Sequence, residues 1–140
     1  MILLDTNVIS ELMRPHPERA VLKWIQSYPR AELWTSSVVI AELLSGIELM
    51  TAGHKRDALR ESVEGMIAED FRGQVLSFNV AASRCYGKIL SHRKQIGRPI
   101  REMDAEIASI ALLHRAKLAT RNTADFEDCG VELLNPWQCR

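Results

Sequence analysis

Apolar residues along this chain fall into two patterns. Short solid runs at Ile2–Leu4, Leu33–Thr35, Val75–Phe78, Leu118–Thr120 and Val131–Leu134 have the length and makeup of buried strands. Between them lie segments in which apolar positions recur every three or four residues, the spacing of one helix face. Ala20, Val21, Trp24, Ile25 and Tyr28 are an example, within a predicted helix Glu18–Tyr28. The same spacing predicts helices over Asn7–Met13, from Ser36 or Ser37 to about Thr51, and over Lys55–Asp70, Val80–Ile96 and Glu102–Arg115. Punctuation agrees with these limits. Pro15 and Pro17 stop the first helix, a serine hydroxyl caps the third, and Gly53 and Gly97 follow helix ends.

Short buried strands alternating with helices imply an α/β fold with a mostly parallel central sheet. There is no internal repeat, low-complexity segment or long linker, so residues 1–140 are expected to form one domain around one core. In such sheets the functional crevice lies beyond the carboxyl ends of the strands. Asp5 ends the first strand and Thr120-Arg121-Asn122 ends a later one; the two meet if those strands are neighbours.

Charge changes the picture mainly by exclusion. Lys plus Arg and Asp plus Glu both number 18, a balance that argues against a strongly basic nucleic-acid coat. It leaves room for a nuclease, whose metal-binding centre requires carboxylates. No apolar run reaches membrane-spanning length, and no positive region precedes an apolar stretch at the start, so a cytoplasmic protein is expected. Cys85, Cys129 and Cys139 are widely spaced and form no CxxC, which suggests neither a disulfide framework nor a zinc site. His16, His54, His92 and His114 share no metal-ligand spacing.

The chemistry is carried by carboxylates in unusual places. Asp5 follows a buried strand, where it is either a helix cap or part of a site. Glu42 sits in an apolar helix with Val38, Val39, Ser45 and Gly46 at helical neighbour positions, so no local cation accounts for it. Asp104 opens a helix rich in small residues, and Asp125 opens a possible short helix capped by Thr123. A first-turn acid that complements the helix dipole is the plainer explanation for Asp104 alone and a workable one for Asp125, but it accounts less well for Glu42. Four acids at strand ends and helix starts are less easily explained that way. Two carboxylates at ~4 Å repel by roughly 4 kcal/mol at an effective dielectric of 20. A hard divalent cation reverses that sign, and an oxygen-only donor set points to Mg²⁺ or Mn²⁺. Such a site activates water for displacement at phosphorus.

The segments LLDTNVISEL, SSVVIAELLSGIE, MDAEIASIALLHRAKLATRNTADF and VELLNPW together resemble the PIN-domain ribonucleases, specifically VapC/FitB-like toxins of type II toxin–antitoxin pairs. The resemblance covers both ends and about half the chain, in the family's order. It implies a three-layer α/β/α sandwich and a Mg²⁺-dependent endoribonuclease site, with Mn²⁺ able to substitute. Asp5, Glu42 and Asp104 match the family's first three acids, and Thr6 and Thr120 match the small polar residues beside them. Many relatives carry an acid where this chain has Asn122; Asp125, three residues later, is the charge expected to replace it. The resemblance further implies a homodimer, a cognate VapB-like antitoxin, and operator DNA bound only through that antitoxin.

Around this centre Lys88, Arg93, Lys94, Arg98 and Arg101 are candidate contacts for RNA phosphates, set against an ordinary solvated helix face. The apolar stretches Val38–Met50 and Ile107–Leu113 are candidates for surface shared between subunits. Two other readings carry weight: another metal-dependent phosphoryl-transfer enzyme, such as a phosphatase or DNA nuclease, and a non-catalytic module on the same fold. A phosphatase with an Asp nucleophile of the haloacid-dehalogenase type wants a second Asp two residues on, where this chain has Asn7.

Overall fold

The computed structural model of the protein describes residues 1–138; Cys139, one of the three cysteines, lies outside them. Five parallel strands are present: β1 Ile2–Leu4, β2 Leu33–Ser36, β3 Val75–Leu76, β4 Lys117–Ala119 and β5 Leu133–Leu134. Six helices connect them: α1 Thr6–Leu12, α2 Arg19–Gln26, α3 Ser37–Glu48, α4 His54–Gly65, α5 Val80–Gln95 and α6 Glu102–Leu113. The strand order is β3-β2-β1-β4-β5, with helices flanking the sheet in the expected three-layer arrangement.

β1 is central and wholly buried, which explains its unbroken Ile-Leu-Leu. Ile2 is in register with Leu33 on one side and Lys117 on the other, and Leu4 with Ala119. From β1 the chain winds outward through β2 to β3, then returns to the far side of β1 as β4. The strand order therefore reverses between β1 and β4, the switch point at which parallel sheets open a crevice.

Most predicted boundaries hold within a few residues, and the departures have local causes. Ser36, not Ser37, caps α3: its hydroxyl accepts from Val39 N at 3.2 Å. Asn79 caps α5 by accepting from Ala82 N at 2.9 Å, which leaves β3 only two residues long. The expected single helix Lys55–Asp70 ends at Gly65 and widens into a π-helical turn, Met66–Asp70, closed by Phe71 N donating to Met66 O. At the end of α5, Gly97 adopts φ 74°, a left-handed conformation that suits glycine.

The apolar stretch of α6 is spent inside the chain: Ile107, Ala108, Ile110 and Ala111 are fully buried. That corrects the expectation that Ile107–Leu113 serves a subunit interface. α3 buries Val38, Val39 and Ile47 but leaves Leu49, just past its end, 88% exposed. Among the described residues no helix is long and apolar enough to cross a membrane.

Candidate functional site

Asp5 is both a cap and a site residue. Its backbone N donates to Ala119 O at 2.9 Å, continuing the β1–β4 pairing, and α1 begins at the next residue. One carboxylate oxygen accepts from Thr6 N at 2.8 Å and the other from the Thr120 hydroxyl at 2.8 Å. The group is buried, and burial raises its pKa from 3.8 to about 6 despite both hydrogen bonds, with smaller upward contributions from Glu42 and Asp104.

Asp104 is buried in the first turn of α6, where its Oδ2 accepts from Arg101 Nε at 3.2 Å. The Arg101 guanidinium is held above its ordinary pKa by Asp104, with further contributions from Asp125 and Glu42. Glu42 is half-buried in the second turn of α3, beyond the first-turn position that a dipole role requires. Among the described residues its side chain has no hydrogen bond or ion pair.

Thr120 is the local hub. While donating to Asp5, its hydroxyl accepts from Asn7 Nδ2 at 3.3 Å and Asn122 N at 3.1 Å. Asn122 and Asp125 are both exposed at the cleft, at either end of one tight 3₁₀ turn in which Asp125 N donates to Asn122 O at 3.0 Å. Thr123 does not cap this turn, because Asn122 occupies the cap position and makes no side-chain capping bond.

Asp5, Glu42, Asp104 and Asp125, with Thr6 and Asn122, line one cleft of about 500 Å³. Several lining residues escaped the sequence reading. Asn7, Ser10, Glu11 and Arg14 form one face of α1 that continues just past its end, at spacings of three, four and seven. That polar stripe was the available signal. Glu11 is a buried acid, 4% exposed, paired with Arg14 at 3.3 Å. Arg121 and Trp137 complete the wall.

The basic stretch is divided by the fold. Lys88 and Lys94 are exposed on α5. Arg93 is buried and unavailable to a phosphate: its guanidinium donates to the main-chain oxygens of Arg98, Asp125 and Glu127. It clamps the loop that carries Asn122 and Asp125. Arg98 pairs with Glu127 and Asp128, at 3.0 and 3.1 Å. Arg101 alone of the five lines the cleft.

Among the described residues no three His, Cys, Asp or Glu side chains stand gathered as a ready metal cluster. The donor chemistry nevertheless fits a hard cation. The cleft offers carboxylates, with no imidazole or thiol lining it, and buried Thr6 Oγ1 has no hydrogen-bond partner. Asp5 accepts from Thr120 and Asp104 from Arg101.

The PIN domain family matches residues 2–131. The chain belongs to the PIN-domain family, in its VapC/FitB toxin branch. It is 41% identical to a VapC ribonuclease of Sinorhizobium fredii, with 99% of each chain covered. It is 39% identical to toxin FitB of Neisseria gonorrhoeae, over 98% of this chain and 99% of that one. The FitAcB crystal structure from N. gonorrhoeae superposes with a TM-score of 0.92 at 38% identity, covering 99% of this PIN domain and 100% of that chain. FitAB bound to a DNA fragment gives a TM-score of 0.93 at 37% identity, covering 100% and 98%.

Proposed function

We propose that the protein is the toxin of a type II toxin–antitoxin pair and a Mg²⁺-dependent endoribonuclease. The observation that carries this is the meeting of Asp5, Glu42 and Asp104 in one cleft at the β1/β4 switch point, from elements up to a hundred residues apart in sequence. The ribonuclease name of its relatives supports the substrate class.

Asp5 and Asp104 would hold the metal, with Glu42 and the more exposed Asp125 completing the oxygen set and Mn²⁺ able to substitute. When bound, the ion neutralises the acids, acidifies a water and offsets charge growing on the phosphate. The chain's own contribution is orientation. Thr6 N–H and the Thr120 hydroxyl fix the plane of the Asp5 carboxylate. Glu42, whose carboxylate makes no hydrogen bond or ion pair among the described residues, would complete the oxygen set through a water and so orient the attacking water. Arg101, paired with Asp104 at the cleft, would be the cation placed to bind the substrate phosphate.

A VapB-like antitoxin is the proposed partner. An apolar groove of about 490 Å³, lined by Leu12, Met13, Ile25, Met66 and Phe71 among others, suits the apolar face of a helix. A smaller hollow shares Met13 with this groove and Ser10 and Arg14 with the acidic cleft, so a bound segment has a continuous path to the acids. A basic antitoxin side chain there would stand in for the cation. Operator DNA would be bound through the antitoxin, and exposed Leu49 and Val80 are the apolar surface offered to a homodimer.

The test is incubation of mixed RNA with the purified chain in Mg²⁺, in EDTA, and after Mg²⁺ is restored, with Asp104→Asn and a phosphomonoester alongside. RNA cleavage that disappears in EDTA, returns with Mg²⁺ and is missing in the variant supports the reading. Phosphomonoester turnover without RNA cleavage overturns it in favour of a phosphatase.

A further inference from the structure

One wall of the cleft is a cation–π pair. The Arg121 guanidinium lies over the Trp137 indole, 5.1 Å from the ring centroid, and both residues line the acidic cleft. Among the described residues no carboxylate lies within ion-pair distance of Arg121, although five acids share its cleft. The ring, not a counter-charge, sets its orientation.

The pair is tied to the acidic centre through a continuous set of hydrogen bonds. Asn135 accepts from Trp137 N at 3.0 Å and donates from Nδ2 to Arg121 O at 3.4 Å. Asn7 accepts from Arg121 N at 3.2 Å and donates to Thr120 Oγ1, which donates to Asp5. The main chain of both residues is therefore positioned relative to Asp5 before any substrate arrives.

We propose that Arg121 and Trp137 form a stacking platform for one unpaired nucleobase beside the scissile phosphate. This rests on the ribonuclease reading above and assigns two residues of the cleft wall to one base of its substrate. A lone surface arginine would serve a phosphate equally well. The indole decides between the two: the Arg121 guanidinium carbon sits over its ring, 5.1 Å from the centroid, so a cation and an aromatic surface stand together in the cleft wall. Aromatic-backed guanidinium planes stack on bases, and stacking of this kind is largely indifferent to base identity. A base inside a duplex has both faces occupied and cannot use the platform.

Anisotropy of a short fluorescein-labelled RNA, measured in EDTA and in Ca²⁺ to separate binding from cleavage, tests the proposal. The single strand should bind more tightly than its duplex. Trp137→Ala and Arg121→Ala should each weaken binding about tenfold, whereas Trp137→Phe stays within roughly threefold. A single abasic residue walked along the strand should cost the parent protein about tenfold at one position, and nothing further in Trp137→Ala. The abasic series needs no substitution, so it decides the matter even if a variant fails to fold. Equal binding of duplex and single strand, or an abasic penalty that persists undiminished in a folded Trp137→Ala, overturns the platform. RNA that is cleaved by the parent but bound alike by parent and variants overturns the platform alone. No RNA bound or cleaved under any condition overturns the ribonuclease reading itself.

Discussion

Thr120 donates its hydroxyl to Asp5 across the β1–β4 boundary, at 2.8 Å. It thereby stabilises a carboxylate whose burial otherwise favours the neutral acid. Thr120→Ala should leave Asp5 harder to ionise. Outer-shell partners of this kind typically alter metal affinity by 10–100-fold. The expected result is a rise of roughly tenfold in the Mg²⁺ needed for half-maximal RNA cleavage, with Thr120→Ser close to the parent. A Mg²⁺ titration of the three proteins checks it.

Asp5 also predicts a pH signature of the metal-free fold. Its folded pKa, about 6, lies above the ordinary 3.8, so the folded state holds this proton more tightly than the unfolded chain does. Stability without metal is therefore lost as pH rises from near 4 through 6, by up to roughly 3 kcal/mol from this group. Asp5→Asn removes that dependence, but its amide can satisfy only one of the two donors facing it, a loss of about 1 kcal/mol. Urea unfolding in EDTA should show the variant's advantage growing between roughly pH 4 and pH 7 and flat above. RNA cleavage by the variant should be abolished.

Asp125 and Asn122 share a turn at the cleft but differ in charge. Asp125→Asn should raise the Mg²⁺ requirement with modest loss at saturation, because an exposed acid reaches the ion through water or weakly. Asp104→Asn should be inactive at any Mg²⁺. Asn122→Asp should keep or raise activity. A cleavage titration in which Asp125→Asn matches the parent while Asn122→Ala fails would reverse the assignment.

Arg93 joins α5 to the loop bearing both of those residues. Arg93→Ala opens a cavity and strips three part-buried main-chain oxygens of their donor, so a loss of about 2–4 kcal/mol is expected in denaturant unfolding. Arg93→Lys should recover little, since one ammonium cannot reproduce the spread of the guanidinium. The salt dependence of RNA binding by the folded protein should match the parent, in contrast to Arg101→Ala, which should lessen it.

That Asp5, Glu42 and Asp104 line one cleft was suggested in the sequence by their occurrence together rather than singly. An acid ends a buried strand, an acid in an apolar helix lacks a partner, and an acid opens a helix of small residues. The α1 face was harder to read: Asn7, Ser10, Glu11 and Arg14 look like an ordinary solvated stripe until β4 brings Thr120 against it. Arg93 was misjudged because charge suggested exposure. Its position four residues after buried Ile89, and eleven after buried Ala82, places it on the inward face of α5. The π-helical turn after Gly65 had no signal in a pattern that runs helically through it. Asn122, a poor capping residue here, took the place predicted for Thr123 because its backbone N is engaged by Thr120.

The strand order has a consequence during synthesis. β1 emerges first but is left with one bare edge until β4 pairs with it, and β4 ends at Ala119. Local helices can form early, whereas this closure waits for nearly the whole chain. A nascent or truncated product that lacks β4 holds Asp5 and Glu42 without Thr120, Arg121 or the turn that carries Asn122 and Asp125. A complete cleft exists only once β4 and the turn that follows it have been made.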